Sequence, residues 1–417
     1  MPKLYIEGNH RINGEIEVQG AKNSVLPILS ATVLCRGTSV IKNCPMLSDV
    51  DAALKILRHL GCECELEGNT VRVNSDNIVN FDIPEELMRE MRSSVMFLGA
   101  ILGRMKRAVI CSPGGCELGP RPIDLHISAL KQLGASVSEG HGCLEFNAEN
   151  GLEGREITLS FPSVGATENI ILSSATAKGT TVIRNAAKEP EISDLADFLN
   201  SAGARIYGGG SDTVIIHGVK NLYGAEHTVI PDRIAAVTYM AAAAVTEGEI
   251  TLKNIMPSHF VSITSVFEEA GCKIEPIGKS LKLWAPKRLK RVPTVRTLVY
   301  PGFPTDAGPI LIAALSKAKG TSVFVENIFE NRYRYVDELN RLGTRIKTEG
   351  RVAVVEGVEN LSAAKCQCTD LRGGAALVVA ALAASGTTVI DKIEHIKRGY
   401  ENISENLRNL GAVAYEE

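Results

Sequence analysis

The chain has 417 residues, with 45 Lys and Arg against 48 Asp and Glu, so its formal net charge is −3. This balance argues against a partner of strongly negative charge, such as nucleic acid or an anionic membrane. No apolar run approaches the length of a membrane span, and the first residues lack the apolar core of a secretion signal. We therefore predict a cytoplasmic protein, long enough for two domains, whose ten cysteines are reduced thiols.

One short pattern recurs six times along the chain. An amphipathic helix ends in a hydrophobic residue followed by Gly, and a short strand comes next. The six glycines, spaced by 68 to 73 residues, are Gly61, Gly134, Gly203, Gly271, Gly343 and Gly411. A constant period of this length indicates structural repeats, and we expect six units of about 70 residues, three in each of two domains.

Each unit begins with a second kind of helix, rich in Ala, Ser, Leu and Val, followed by a short apolar strand. Such a helix has no polar face and is expected to be buried on all sides. The unit therefore reads helix, strand, helix, strand, strand, with three helices inside each domain and sheets around them. The strand is often introduced by Gly-Thr, and these glycines suit helix C′ positions with positive φ: Gly37, Gly179, Gly320 and Gly386.

The N-termini of these buried helices are the expected location of the chemistry. They lie near Lys22-Asn23, Arg92, Ser163, Asp232-Arg233, Thr305-Asp306 and Asp370-Leu371-Arg372. Free N–H groups and the helix dipole attract phosphate and carboxylate there. The alternative is that the polar residues only cap the helices, which suits Ser163 and Asp232 equally well. A basic residue at a helix N-terminus, such as Lys22 or Arg92, favours an anion site.

A loop rich in Gly and Pro, residues 112–122, carries Cys116 near its centre and Arg121 five residues later. A thiol beside a cation can have a lowered pKa and act as a reactive group, although an incidental exposed thiol gives the same pattern. Two C-x-C pairs begin at Cys62 and Cys366. They lack nearby histidines and the usual zinc spacing, so strand positions are the better interpretation of the first pair.

Seven motifs together identify a family. They are GAKNSVLP, GGCxxGxRPxDLH, SVGAT, EPEIxD, PGFPTD, DLRGGAALVVAAL and RGYE. In this order and over essentially the whole chain, they resemble the UDP-N-acetylglucosamine 1-carboxyvinyltransferase family. The resemblance implies a two-domain inside-out α/β barrel of the EPSP synthase-like class. It also implies that residues 22–230 form one domain, that residues 1–21 join 231–417 in the other, and that the active site lies in the cleft between them.

The implied reaction transfers the enolpyruvyl group of phosphoenolpyruvate to the 3′-hydroxyl of UDP-N-acetylglucosamine and releases phosphate, at the first committed step of bacterial peptidoglycan synthesis. Carried over by position, the catalytic residues are Cys116 as proton donor, Asp306 as base, Lys22 and Arg398. The substrate contacts are Asn23, Arg92, Arg121, Pro122, Ile123, Asp124, Leu125, Ser163, Val164, Gly165, Ile328, Asp370 and Arg372. The resemblance implies no metal and no cofactor, and no nucleic-acid partner or membrane insertion; the oligomeric state is not indicated.

Two other functions fit parts of the pattern. A 5-enolpyruvylshikimate-3-phosphate synthase shares the repeats and phosphoenolpyruvate, and a paralogue could bind UDP-N-acetylglucosamine without catalysis. The Cys116 loop and the SVGAT segment favour the nucleotide-sugar enzyme. The chain departs from the family pattern at Ala307-Gly308-Pro309, at residues 235–237 (Ala-Ala-Val) and at Lys397. Pro309 is tolerable near a helix start, so we expect a shift in geometry near Asp306 rather than loss of its role.

Overall fold

The structure is a computed structural model that describes residues 2–111, 123–140 and 142–417, with only the backbone of Arg92. The chain divides into two compact units. We call residues 20–111, 123–140 and 142–230 the N-terminal unit, and residues 2–19 with 231–417 the C-terminal unit. The first junction falls between Gln19 and Gly20, two residues before the boundary that the resemblance implies.

The described residues form fourteen α-helices, joined by short connections. They are α1 Lys22–Ala31, α2 Ser48–Leu60, α3 Glu85–Glu90, α4 Phe97–Met105, α5 Asp124–Gln132, α6 Val164–Ser174, α7 Pro190–Ser201, α8 Arg233–Val245, α9 Val261–Glu269, α10 Gly308–Leu315, α11 Val336–Arg341, α12 Leu371–Leu382, α13 Glu394–Lys397 and α14 Ile403–Asn409. Short 3₁₀ turns span Thr32–Leu34, Arg92–Met96, Pro257–Phe260 and Thr305–Ala307. No helix in these described ranges is long and apolar enough to span a membrane.

The same residues form twenty-eight short strands. They are β1 Leu4–Glu7, β2 Asn13–Glu17, β3 Cys35–Arg36, β4 Thr38–Lys42, β5 Glu63–Glu67, β6 Thr70–Asn74, β7 Asp82–Ile83, β8 Arg107–Cys111, β9 Ser136–Gly140, β10 Cys143–Asn147, β11 Glu156–Thr158, β12 Thr180–Arg184, β13 Ile206–Tyr207, β14 Thr213–His217, β15 Leu222–Tyr223, β16 Glu226–Thr228, β17 Glu249–Lys253, β18 Lys273–Ile277, β19 Ser280–Trp284, β20 Thr294–Arg296, β21 Thr321–Val325, β22 Arg345–Glu349, β23 Val352–Glu356, β24 Leu361–Ser362, β25 Lys365–Gln367, β26 Ala384–Ser385, β27 Thr387–Asp391 and β28 Val413–Glu416.

Six four-stranded sheets are present in the described part of the chain, three in each unit. Each sheet has one parallel pair and two antiparallel pairs, as in the sheet ordered β11-β12-β14-β13, where only β11 and β12 are parallel. The N-terminal strands belong to the C-terminal unit, because β1 pairs with β27 and β28 and β2 pairs with β17. Two further sheets of two strands join β3 to β15 and β24 to β26.

The helices rich in small apolar residues form the core of each unit. In the C-terminal unit α8, α10 and α12 pack against one another, and every residue of α8 is buried. In the N-terminal unit α4 packs against α1 and α6. The amphipathic helices, such as α2, cover these helices on one face only. The predicted mixed α/β fold, with buried helices inside and sheets outside, is confirmed.

The prediction for the glycines before Thr is wrong in one respect. Gly37 has a φ of 79°, but it follows β3, and the helix α1 has ended before it. Gly386 likewise has a φ of 99° and separates β26 from β27. Positive φ therefore redirects the chain into a strand at these points. The left-handed helix end occurs instead at Gly61, whose N–H donates to the carbonyl of Arg58 at the end of α2.

The expectation of ten reduced thiols is also wrong. Cys111 in β8 and Cys143 in β10 lie opposite each other in the antiparallel ladder and form a disulfide. Directly opposed residues of adjacent strands have neighbouring Cβ atoms, so this register brings the two sulfurs within bonding distance. Seven other described cysteines are free. Of the first C-x-C pair, Cys64 lies in β5 as predicted, but Cys62 precedes that strand, so the prediction is wrong for Cys62.

Candidate active site

Asp306 lies in the 3₁₀ turn Thr305–Ala307, directly before α10. The sequence predicts a helix N-terminus near Thr305-Asp306, with a shift in geometry caused by Ala307-Gly308-Pro309. Pro309 accounts for the difference, because it has no N–H to donate to the carbonyl of Thr305, and the N–H of Ala307 instead donates to the carbonyl of Pro304 at 3.1 Å. Gly308 and Pro309 thus displace Asp306 from the α-helix, and its side chain is 27% exposed.

Two arginines hold the Asp306 carboxylate, one at each of its two oxygens. The NH2 group of Arg332 lies 3.0 Å from Oδ1, and Nε of Arg372 lies 3.2 Å from Oδ2. Their side chains are only 4% and 3% exposed. A carboxylate gripped by two guanidinium groups has a fixed orientation, since each arginine presents donors in a rigid plane.

Arg372 is in turn anchored in the core of the C-terminal unit. Its NH1 group donates to the hydroxyl of Tyr400 at 3.2 Å, and that hydroxyl lies 2.8 Å from Oγ1 of Thr238 in α8. Burial alone would lower the pKa of Arg372, but Asp306 and Tyr400 outweigh it and raise the pKa above its ordinary value. The guanidinium therefore stays charged at every relevant pH. Burial also raises the pKa of Tyr400, so its hydroxyl keeps its proton.

Glu326 organises the segment around Asp306 and Ile328. It is 2% exposed, and its Oε1 accepts hydrogen bonds from the backbone N–H groups of Ile328 and Phe329 at 2.8 and 3.0 Å. Its Oε2 accepts a hydrogen bond from the hydroxyl of Thr305 at 2.8 Å. One buried carboxylate therefore fixes both the predicted substrate contact Ile328 and the residue before the predicted base.

Two aspartates at predicted positions cap helices in the C-terminal unit. Asp232 accepts from the N–H groups of Ile234 and Ala235 at 2.8 and 3.0 Å, at the start of α8. Asp370 accepts from those of Arg372 and Gly373, both at 3.0 Å, at the start of α12. An N-cap carboxylate satisfies the first amide groups of the helix and complements its dipole.

Arg398 is partly buried at the end of α13. The neighbouring Lys397 is a departure from the family pattern that we expected to add positive charge beside Arg398. Its ammonium lies 2.7 Å from Oε2 of Glu416 in β28, so part of the added charge is offset locally.

In the N-terminal unit, Lys22 is the first residue of α1 and Asn23 beside it is exposed. The Lys22 ammonium lies 2.7 Å from Oδ2 of Asp49, in the first turn of α2. Both side chains are buried, at 10% and 1% exposure. Asp49 thus fixes the position of a lysine that the sequence assigns to catalysis.

The N-termini of α5 and α6 meet through His126. A Cβ atom at Gly165 would lie 3.1 Å from Cε1 of His126, so a larger residue there would require the His126 ring to shift by a few tenths of an ångström. Nδ1 of His126 lies 2.9 Å from the amide nitrogen of Asn169. Burial lowers the pKa of His126 to about 4, against an opposing effect of Asp124. The ring is therefore neutral at neutral pH, and the structure brings the predicted 123–125 and 163–165 contacts together.

Ser163 caps α6, because its hydroxyl accepts a hydrogen bond from the N–H of Ala166 at 3.3 Å. Farther along α6, Glu168 is buried beside the EPEIxD segment. Its burial, with added repulsion from Glu191 and Glu189, raises its pKa well above the ordinary value. Burial therefore favours the protonated form of Glu168.

Three predicted site residues lie outside the described residues: Cys116, Arg121 and Pro122. The side chain of Arg92 is not described either, although its backbone begins a 3₁₀ turn before α4. Within residues 2–111, 123–140 and 142–417, no group of three or more His, Cys, Asp or Glu side chains is arranged to hold a metal ion. Sequence reasoning missed Asp49, Glu326, Arg332 and Tyr400, whose roles depend on contacts between segments distant in sequence.

Comparison with known proteins places the chain in a family. The family model described as EPSP synthase (3-phosphoshikimate 1-carboxyvinyltransferase) matches residues 6–407. The chain is 50% identical over 412 residues to UDP-N-acetylglucosamine 1-carboxyvinyltransferase 2 of Caldanaerobacter subterraneus subsp. tengcongensis, covering 99% of both chains. It is 48% identical over 415 residues to UDP-N-acetylglucosamine 1-carboxyvinyltransferase 1 of Symbiobacterium thermophilum, covering 98% of this chain and 94% of that one.

Two solved structures share the fold at lower identity. The enolpyruvyl transferase NikO from Streptomyces tendae matches with a TM-score of 0.89 and 24% identity, covering 100% of this chain and 98% of that chain. An EPSP synthase from Acinetobacter baumannii matches with a TM-score of 0.74 and 18% identity, over 100% of both. The chain therefore belongs to the EPSP synthase family and, within it, to the UDP-N-acetylglucosamine 1-carboxyvinyltransferases.

Proposed function

We propose that this protein transfers the enolpyruvyl group of phosphoenolpyruvate to the 3′-hydroxyl of UDP-N-acetylglucosamine, with release of phosphate, at the first committed step of peptidoglycan synthesis. The observation that carries the proposal is the 50% identity, over 99% of the chain, to a relative of that name. The fixed Asp306 carboxylate in the C-terminal unit supports it, since the reaction needs a base for a hydroxyl proton. Its work in the bacterial cytoplasm remains a prediction from the sequence.

The first step is an addition. Asp306 accepts the proton of the 3′-hydroxyl, the sugar oxygen bonds to C2 of phosphoenolpyruvate, and the thiol of Cys116 delivers a proton to C3. In the second step C3 returns a proton to the Cys116 thiolate, the double bond re-forms, and the bond from C2 to the phosphate oxygen breaks, so that phosphate leaves with the proton held by Asp306. The pairs with Arg332 and Arg372 support this role for Asp306, because they hold the carboxylate in one orientation while its side chain keeps 27% exposure.

The phosphate and carboxylate of phosphoenolpyruvate require several cations. We propose that these come from five basic residues: Lys22, Arg92, Arg121, Arg372 and Arg398. Two observations support the set. Arg372 is held charged and oriented by Asp306 and Tyr400, and Lys22 is held by Asp49. A guanidinium can grip either anionic group with two hydrogen bonds, while a lysine acts as a point charge.

The nucleotide-sugar would be held by the remaining predicted contacts. Asn23 and Asp306 would contact the sugar, and the segments 121–125 and 163–165 the uridine and diphosphate; Ile328 and Asp370 complete the set. The contact of His126 with Gly165 supports the pairing of these two segments, since it brings the N-termini of α5 and α6 together. A neutral His126 adds no charge beside the diphosphate.

The assay is phosphate release from phosphoenolpyruvate with each of two acceptors. We expect turnover with UDP-N-acetylglucosamine and none with shikimate 3-phosphate. Turnover with shikimate 3-phosphate alone would support the 5-enolpyruvylshikimate-3-phosphate synthase alternative, which the family model also covers. Binding of UDP-N-acetylglucosamine without phosphate release would indicate a non-catalytic paralogue.

Cys116 has its own test. Cys116→Ser should lower turnover near neutral pH strongly, because a hydroxyl is a far weaker acid than a thiol. Fosfomycin, an epoxide phosphonate that resembles phosphoenolpyruvate, should alkylate the same thiol, and peptide mass spectrometry would locate the adduct. Normal turnover by Cys116→Ser, or an adduct on a different cysteine, would remove Cys116 from the proton-transfer role.

A further inference from the structure

Asp194 in α7 connects three segments of the N-terminal unit through one buried carboxylate. Its Oδ2 accepts a hydrogen bond from the hydroxyl of Ser24 in α1 and another from the N–H of Ile230 at 3.2 Å. Its Oδ1 lies 2.8 Å from Nε2 of His227 in β16. Asp194 is 4% exposed and Ser24 is fully buried. A buried carboxylate is tolerated only with such partners, and here three donors converge on two oxygens.

This arrangement holds the first turn of α1 by two routes. Ser24 lies in that turn, two residues after Lys22 and next to Asn23. Ile230, whose N–H donates to Asp194, accepts through its carbonyl a hydrogen bond of 2.7 Å from the N–H of Ala21. Ala21 is the residue before α1 and gives no side-chain cap. Asp194 therefore fixes both the side chain and the backbone at the start of the helix that presents Lys22 and Asn23.

The order of contacts excludes a nucleophilic role for Ser24. In a serine hydrolase the histidine lies between the serine and the carboxylate, and takes the serine proton. Here the carboxylate lies between Ser24 and His227, and the serine hydroxyl is enclosed. Because an ionised carboxylate only accepts hydrogen bonds, Ser24 and His227 are both donors to Asp194. The group is therefore built to hold an element in place.

We infer that Asp194 is a positioning residue that sets the location of Lys22 and Asn23 in the substrate site, with Ser24 and His227 as its partners. The part of this inference that places Lys22 and Asn23 in contact with substrate rests on the proposed function. Its structural part stands separately: loss of the Asp194 acceptor loosens the first turn of α1. Asp194→Asn keeps the size of the side chain but replaces one acceptor oxygen by a donor amide. The amide nitrogen cannot accept a hydrogen bond, so one of the three donors loses its acceptor.

The kinetic test compares Asp194→Asn and Ser24→Ala with the wild type. We expect the KM for phosphoenolpyruvate to rise about tenfold in Asp194→Asn, the effect of losing a hydrogen bond to a charged group, and by a smaller factor in Ser24→Ala. A purely structural role would lower the fraction of folded enzyme, and so kcat, without changing KM. The matched control is Asp197→Asn, one turn farther along α7 and exposed, which should keep the KM of the wild type.

A second measurement does not depend on activity. Hydrogen exchange of the peptide that covers residues 20–31 should be faster in Asp194→Asn than in the wild type and in Asp197→Asn, because the amides of Ser24 and Val25 donate within the first turn. Unchanged exchange would overturn the inference even in an inactive enzyme. If the wild type is active and neither Asp194→Asn nor Ser24→Ala changes the KM for phosphoenolpyruvate, the inference is also overturned. A wild type that releases no phosphate would instead count against the proposed function.

Discussion

The ion pair between Lys22 and Asp49 allows a quantitative test of how the N-terminal unit holds a catalytic lysine. The two charged atoms are 2.7 Å apart, and the side chains are 10% and 1% exposed. Asp49→Asn preserves the size of the side chain but leaves the buried ammonium without this carboxylate. Removing one partner of a buried pair costs about 3–5 kcal/mol. Since Lys22 retains slight exposure, we expect about 3 kcal/mol, the lower end of that range.

The assay is urea unfolding followed by circular dichroism, in which a stability change moves the midpoint at constant slope. A matched control exists in the pair of Lys55 and Glu90, which are 2.8 Å apart but 53% and 44% exposed. Glu90→Gln should cost at most about 1 kcal/mol, as exposed pairs do. Lys22→Met combined with Asp49→Leu should recover most of the loss, because both charges of the pair are removed together. An Asp49→Asn variant as stable as Glu90→Gln would refute the reasoning.

Three further predictions concern protonation, a buried hydrogen bond and oxidation. Burial raises the pKa of Glu168 in the folded protein. The free energy of unfolding should therefore be highest below the ordinary pKa of about 4.5 and should fall as the pH rises towards the folded pKa. In urea titrations over this pH range, Glu168→Gln should show a smaller fall than the wild type. Tyr400→Phe removes the oxygen that accepts a hydrogen bond from Arg372 and should lower the free energy of unfolding by about 1.5–3 kcal/mol. An unchanged free energy of unfolding would contradict this role of the Tyr400 hydroxyl. Alkylation of the denatured, unreduced protein should modify eight of the ten cysteines, and all ten after reduction, since Cys111 and Cys143 are paired; ten modified thiols without reduction would contradict the disulfide.

The starts of the buried helices were predictable because local chemistry determines them. The chain begins α1 at Lys22, and α12 begins directly after Asp370. Aspartate and serine are preferred at N-caps because their side chains accept from the first amide groups, and the apolar composition that follows marks a helix buried on all sides. Two helix starts differ, because a 3₁₀ turn precedes the α-helix at Asp306, where Gly308 and Pro309 follow, and another precedes α4 at Arg92.

The partners of the site residues were not predictable, because they come from distant segments. Asp49 reads in the sequence as an acidic residue in the first turn of a helix, which any helix favours, and nothing near it indicates Lys22. Arg332 lies 26 residues from Asp306 in a segment with no periodic pattern. The disulfide of Cys111 required the strand register, and a shift of one residue would place its side chain on the other face of the sheet.

The structure also separates two roles that the sequence left open at the helix N-termini. In α6, α8 and α12 the first amide groups already donate to Ser163, Asp232 and Asp370. A capped helix offers fewer donors to an anion, and an aspartate cap adds negative charge. In the C-terminal unit we therefore expect α8 and α12 to contribute less to the recognition of phosphate or carboxylate than arginine side chains do. The start of α1 differs, because Ala21 provides no side-chain cap and Lys22 follows it directly. There the helix dipole and the ammonium act in the same direction on an anion, which is why the contacts that fix this turn matter for the proposed reaction.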